Sequence, residues 1–262
     1  MKSVLIAVAL AILCVAVLFF GFTNKPPKKS VFDLRREKLV DSLHYPNGEL
    51  LISMHDDMLR SSAGSKTTLL KQLSEDWLNL AQPAISANYL LLLADNEPTY
   101  ENYMVAGQSL ANLIDFEKDE NLRVNVVYGA RYAFEQAEKL KPGDMDAKIG
   151  LATVLVSGTN SPMEGIMMLR EIDASNPDNI KVNLELGRFS VMSGQYDKAL
   201  ERFERVLQKD SLNLQARYMM AQTFLGMHDT STAIIELEKL KSFTTDKTIT
   251  DQVDMQIRNL NH

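Results

Sequence analysis

The chain has 262 residues, 45% of them hydrophobic and 24% charged, which is ample apolar material for a folded core. Its 28 basic and 34 acidic residues leave a net charge of −6 with no long basic run, so nucleic acid is not expected as a partner, since phosphate binding needs clustered Lys and Arg. Cys14 is the single cysteine, which excludes an intramolecular disulfide and a Cys-based zinc site.

In chain order, the first expected element is a transmembrane anchor over residues 3–22. Its run "VLIAVALAILCVAVLFFGF" (4–22) carries no charge, and nineteen helical residues rise roughly 28 Å, about the thickness of a bilayer's hydrocarbon layer. A cleaved signal peptide fits less well, because the apolar run is long and "FFGFTNKPPKK" offers no small-x-small site. A lipoprotein signal fits worst, because Leu13 precedes Cys14 and apolar residues continue past it. Lys25, Lys28 and Lys29 after the run favour a cytoplasmic body by charge counting. A very short tail with Lys2 ahead of the run looks instead like a bacterial signal anchor. We prefer that second reading: a single-pass protein of the cytoplasmic (inner) membrane with its body outside the cytoplasm. Residues 23–30 are expected to act as a short, stiff, hydrated tether.

Residues 31–66 are expected to form N-terminal helices, broken at the turn signal "YPNG" (45–48). The stretch 67–247 then shows internal repetition. Blocks 146–179, 180–213 and 214–247 align without gaps at 34 residues each. Small residues fall in register at Gly165, Ala199 and Ala233. Large apolar residues recur four later, at Leu169, Phe203 and Leu237, and again three later, at Ile172, Val206 and Leu240. Within a block the apolar period is that of a helix, in two runs split by a short turn. Such pairs must stack, because none buries its apolar face alone. Two degenerate repeats precede, over 67–100 and 101–145, the second with "DFEKDENLR" as an insertion. Residues 248–262 read as a capping helix.

These residues resemble the tetratricopeptide repeat (TPR). The middle block carries most of the likeness, with Leu186-Gly187, Gly194-x-Tyr196, Ala199 and Phe203. It departs from the pattern at Asn183, where the family often has Trp, at Ser190 for Tyr, and at Ser211 for the closing Pro. The resemblance implies an all-α, right-handed TPR-like solenoid, no enzymatic activity, and a protein or peptide partner held on the first helices of the pairs. With the anchor it implies a bacterial envelope scaffold, in envelope assembly or protein biogenesis.

No catalytic, metal or cofactor residues are assigned. "SAGSKTT" (62–68) fails as a phosphate loop, because Ser65 separates Gly64 from Lys66 and Leu59 stands where the first Gly belongs. The four histidines form no metal-binding pair. By repeat register, the partner-binding candidates are Lys181, Leu184, Arg188, Met192, Tyr218 and Gln222, within a wider set that includes Gly150, Val154, Val191, Gln215 and Leu225. Two alternatives remain open: a structural repeat protein that self-associates through an exposed end, and an enzyme subunit with a site in residues 30–100.

Overall fold

The computed structural model describes residues 30–43, 48–159 and 161–260. The apolar segment 3–22 and the tether through residue 29 lie outside the described residues. Among the described residues no helix is long and apolar enough to cross a membrane. The chain divides into two compact units, Met1–Ser53 and Met54–His262. In the first, α1 (Val31–Leu43) opens with a reciprocal cap: Asp33 N–H donates to Ser30 Oγ at 3.1 Å and Ser30 N–H to Asp33 Oδ2 at 3.1 Å. Helix α2 (Gly48–Arg60) crosses the division between the units.

The second unit is all helix between its turns. Among its described residues ten helices pair in sequence: α3 (Ala63–Asn79) with α4 (Pro83–Asn96), α5 (Tyr100–Ala111) with α6 (Glu120–Leu140), α7 (Met145–Gly158) with α8 (Pro162–Ser175), α9 (Ile180–Met192) with α10 (Tyr196–Lys209), and α11 (Leu214–Gly226) with α12 (Thr230–Ser242). Helix α13 (Lys247–Leu260) follows. Each pair packs on the next, and the first helices α5, α7, α9 and α11 also touch in series. This stack is an all-α solenoid of TPR type.

The local chemistry repeats with the helices. Four of the five first helices, all but α3, start on a side chain that accepts a backbone N–H: Thr99 from Asn102, Asp144 from Ala147, Asn179 from Val182 and Asn213 from Ala216. Second helices α4 and α8 begin with proline, whose missing N–H costs nothing there. Three first helices end in the same six-residue closure. Gln82, Gln195 and Asp229 donate their backbone N–H to the carbonyls of Trp77, Ser190 and Phe224 at 2.8–2.9 Å. The residue before each donor is left-handed: Ala81 at φ 55°, Gly194 at φ 72° and His228 at φ 62°.

The small residues read from the sequence sit at the helix contacts. Ala199 and Ala233 are fully buried, and a Cβ on Gly165 would fall 2.3 Å from the Ala152 carbonyl oxygen. Helices α7 and α8 therefore approach more closely than an alanine allows. The Phe203 ring fills the space over Gly187, where a Cβ would lie 2.5 Å away. The Phe134 ring is wedged between Gly107 on α5 and Gly150 on α7, so one side chain of α6 ties two pairs together.

Asn183, at the place the family often gives to Trp, is 1% exposed and works as a polar connector. Its Nδ2 donates to the carbonyls of Pro177 and Asn179 at 2.7 and 2.9 Å, and its Oδ1 accepts from Arg202 at 3.0 Å. Arg202 in turn grips Asp173 through two nitrogens at 2.6 and 2.8 Å. This network joins α8, α9 and α10 without an aromatic ring. A second one closes the α6–α7 turn. Tyr100 donates its hydroxyl to Asp144 at 2.7 Å, Lys141 pairs with Asp144 at 2.7 Å, and the Lys141 ammonium lies 4.6 Å over the Tyr100 ring. Burial alone would raise the Asp144 carboxyl. The hydrogen bonds from Lys141, Tyr100 and the Ala147 N–H outweigh it and bring the carboxyl down to about 2. Burial and the same carboxylate push the Tyr100 phenol up to about 12.

Candidate functional site

The first helices α5, α7, α9 and α11 line a groove whose cleft takes in two of the six predicted residues, Lys181 and Leu184. The cleft holds about 240 Å³ and draws on four first helices, Met104 and Gln108 from α5, Asp146 and Thr153 from α7, Leu184 and Glu185 from α9, and Gln215 from α11, together with Phe134 from α6. Phe134 and Gly150 form part of its base. The caps described above fix where each of these helices begins, and the helical period then carries alternate turns into the groove.

The sequence-predicted residues fall into three situations. Lys181 borders the cleft, and its ammonium pairs with Asp146 at 2.8 Å while 62% exposed. An exposed pair of this kind adds little stability and breaks easily, so Lys181 is available to a ligand. Tyr218 and Met192 are exposed, at 40% and 63%. Leu184 borders the cleft but is buried at 8% exposure, packed with Ala199, Phe203 and Ala216, so it serves as core and floor together. Val154, at the register place of Arg188, is fully buried. Gln222 is half-buried, and its Nε2 is a buried donor with no protein acceptor.

Arg188 is the most connected of the six. Its guanidinium meets Glu185 at 3.1 Å, Asp115 at 3.3 Å and Ser157 Oγ at 2.9 Å, and stands 4.4 Å over the Phe189 ring. It thus links α9 to the end of α7 and to the turn after α5. Asp115 and Ser157 were not foreseen from the sequence. Asp115 lies 73 residues from Arg188, inside a stretch that breaks the repeat register, so no spacing rule reaches it. Met104 and Gln108 also line the cleft without a signal in the sequence, because the charged insertion 115–123 breaks the 34-residue register of the α5–α6 pair.

The described residues contain no group of three or more His, Cys, Asp or Glu placed to hold a metal ion. What the geometry offers is a cleft lined by apolar side chains together with Asp146, Lys181 and Glu185, while Arg188, Met192, Tyr218 and Gln222 lie outside its lining. Together with the stacked pairs, it defines a helical-repeat protein with a groove on its first-helix face.

Residues 190–247 match the family model for the tetratricopeptide repeat. Over 152 residues, 58% of this chain, the sequence is 24% identical to anaphase-promoting complex subunit 3 of Schizosaccharomyces pombe, and the match spans 21% of that protein's length. Among solved structures, a thermophilic TPR protein of Thermus thermophilus superposes with a TM-score of 0.57 at 13% identity, covering 74% of this chain and 98% of that one. MamA from Desulfovibrio magneticus RS-1 follows with a TM-score of 0.43 at 20% identity, covering 70% and 97%. The superposition with the Thermus protein supports the TPR-type solenoid.

Proposed function

We propose that this protein is a membrane-anchored scaffold whose first-helix groove holds an extended segment of a protein partner. The observation that carries the reading is the groove itself, contributed by four successive first helices, with an apolar floor and charges of both signs along it. An extended peptide suits such a surface, since its backbone polar groups and alternating side chains can meet mixed chemistry along one line. The anchor is supported by the uncharged run 4–22 and the tether after it. With the body outside the cytoplasm, the setting we assign is assembly or protein biogenesis at the cell envelope.

Lys181→Glu combined with Tyr218→Ala tests the groove better than any change at Arg188, whose bonds also hold the fold. Partner capture by crosslinking in native membranes should fall while the melting temperature stays within a few degrees. Capture at wild-type level would remove the groove from the proposal. A reporter enzyme fused to the C-terminus, active only outside the cytoplasm, reads the orientation. A C-terminus found on the cytoplasmic side, with the reporter silent, overturns the localisation.

A further inference from the structure

The opposite face of the solenoid carries a second cleft that the repeat architecture does not require. It lies between the second helices α8 and α10, holds about 250 Å³, and has Ile166, Leu186 and Phe189 among its lining residues. Arg170, Lys198, Arg202 and Arg205 surround this apolar floor, with Glu201 the single acid among the lining residues. Arg202 is committed to Asp173, and Lys198 donates to the Gln195 side chain at 2.7 Å. Arg170 and Arg205 are exposed and form no ion pair among the described residues.

The repeats supply their own control. One repeat later, the places of Arg170, Lys198, Arg202 and Arg205 hold Glu204, Thr232, Glu236 and Lys239. One repeat earlier, with Phe134 in the place of Leu169, they hold Glu135, Glu164, Met168 and Glu171. The basic cluster is therefore local, in a chain of net charge −6, and acidic positions lie on both sides of it. A nucleic acid strand or an anionic bilayer would run onto the carboxylates of Glu135, Glu164, Glu171 and Glu204. A short acidic segment with one apolar anchor would not.

The chain itself contains such a segment. The turn between α5 and α6 reads Asp115-Phe116-Glu117-Lys118-Asp119-Glu120, four acids against one lysine. Phe116 at its tip is 78% exposed, a large aromatic left uncovered by the described residues. Asp115 is held by Arg188, Asp119 caps α6, and Glu117 accepts the Asp119 N–H through Oε1 at 3.0 Å, which fixes the turn and leaves Phe116 outward.

We propose that the α8–α10 cleft receives the 115–120 turn of a second copy of this chain. Phe116 enters over Ile166, Leu186 and Phe189, and the carboxylates of Glu117 and Glu120 meet Arg170, Lys198 and Arg205. The contact joins two different patches, so it is head-to-tail and extends copies into a row unless the rotation closes a ring. It is small, hence weak in dilute solution, and gains from confinement of the copies in one compartment.

The test uses the full chain in its native membrane, with photoreactive benzoylphenylalanine in place of Phe116. Irradiation should give a covalent dimer, and mass spectrometry should map the new bond to Ile166, Leu186 or Phe189 of the other copy. Arg170→Glu with Arg205→Glu should cut the yield about tenfold, the size of a lost close charge pair at an interface. Adding Glu117→Lys and Glu120→Lys to that same chain should restore it, because the swapped charges attract again. Absence of a dimer, a bond mapped to the first-helix groove or elsewhere, an unchanged yield on charge reversal, or failure of the double swap to restore it each overturns the proposal.

Discussion

The three left-handed positions at the ends of first helices show how one backbone demand is met by different residues. Gly194 adopts φ 72° without steric cost, whereas Ala81 and His228 carry a Cβ into the same region. His228→Gly and Ala81→Gly should each stabilise the fold by about 0.5–1 kcal/mol, and Gly194→Ala should cost about 1 kcal/mol. Urea denaturation of the three variants checks this, and a loss of stability in both glycine variants would contradict it. Asp144 supports a second prediction at this scale. Its folded pKa of about 2 lies below that of a free aspartate, so the bound carboxylate favours the folded state. That contribution is complete above about pH 5 and disappears as pH falls through 4 toward about 2, a loss of about 2 kcal/mol at most. Asp144→Asn, which keeps an N-capping side chain, should lower stability at neutral pH and flatten the acid limb of the profile. An unchanged acid limb would show that the Lys141–Tyr100–Asp144 cluster contributes nothing.

Helix pairs are the scale at which the sequence was most legible. Gly165, Ala199 and Ala233 stand out because close helix approach excludes larger residues, and Phe203 and Leu169 because the space beside them must be filled. The same reasoning makes a graded prediction. Gly165→Ala should destabilise by about 1–3 kcal/mol, since its Cβ would meet the Ala152 carbonyl at 2.3 Å and two helices must separate. Ala199→Gly, the reverse change at the matching place, should cost only about 1 kcal/mol, from helix propensity. Equal effects in thermal melts would show that α7 and α8 are no closer than α9 and α10. The groove was less legible, for a physical reason. Register tells which side of a helix a residue occupies but not how deep the neighbouring helix sits, so Leu184 and Val154 were grouped with Lys181 and Tyr218 although the first two are buried. Ion pairs such as Arg188 with Asp115 leave no periodic trace at all.

The second unit behaves as a linear array of neighbours. Helix α13 covers one end through Val253, with Ile249 and Ile257 beside it, on Ala221, Leu237 and Leu240. Removing residues 247–262 should expose that face and lower hydrogen-exchange protection in α11 and α12 first, leaving α5 and α6 near wild type, because each pair gains stability mainly from adjacent pairs. Uniform loss of protection along the array would show a single cooperative block instead. At the near side of the groove the coupling is tighter. Phe134 between Gly107 and Gly150 fastens the α5–α6 pair to α7, and Arg188 fastens α9 to α7 and to the turn after α5.

The fastening by Arg188 bears on how a ligand would bind. A surface already held by four hydrogen bonds from Arg188 to three side chains loses little freedom when it is occupied, so the ordering entropy of complex formation falls on the incoming peptide. Binding should then be a single kinetic phase, with a rate that rises linearly with peptide concentration and no saturating step from rearrangement of the protein.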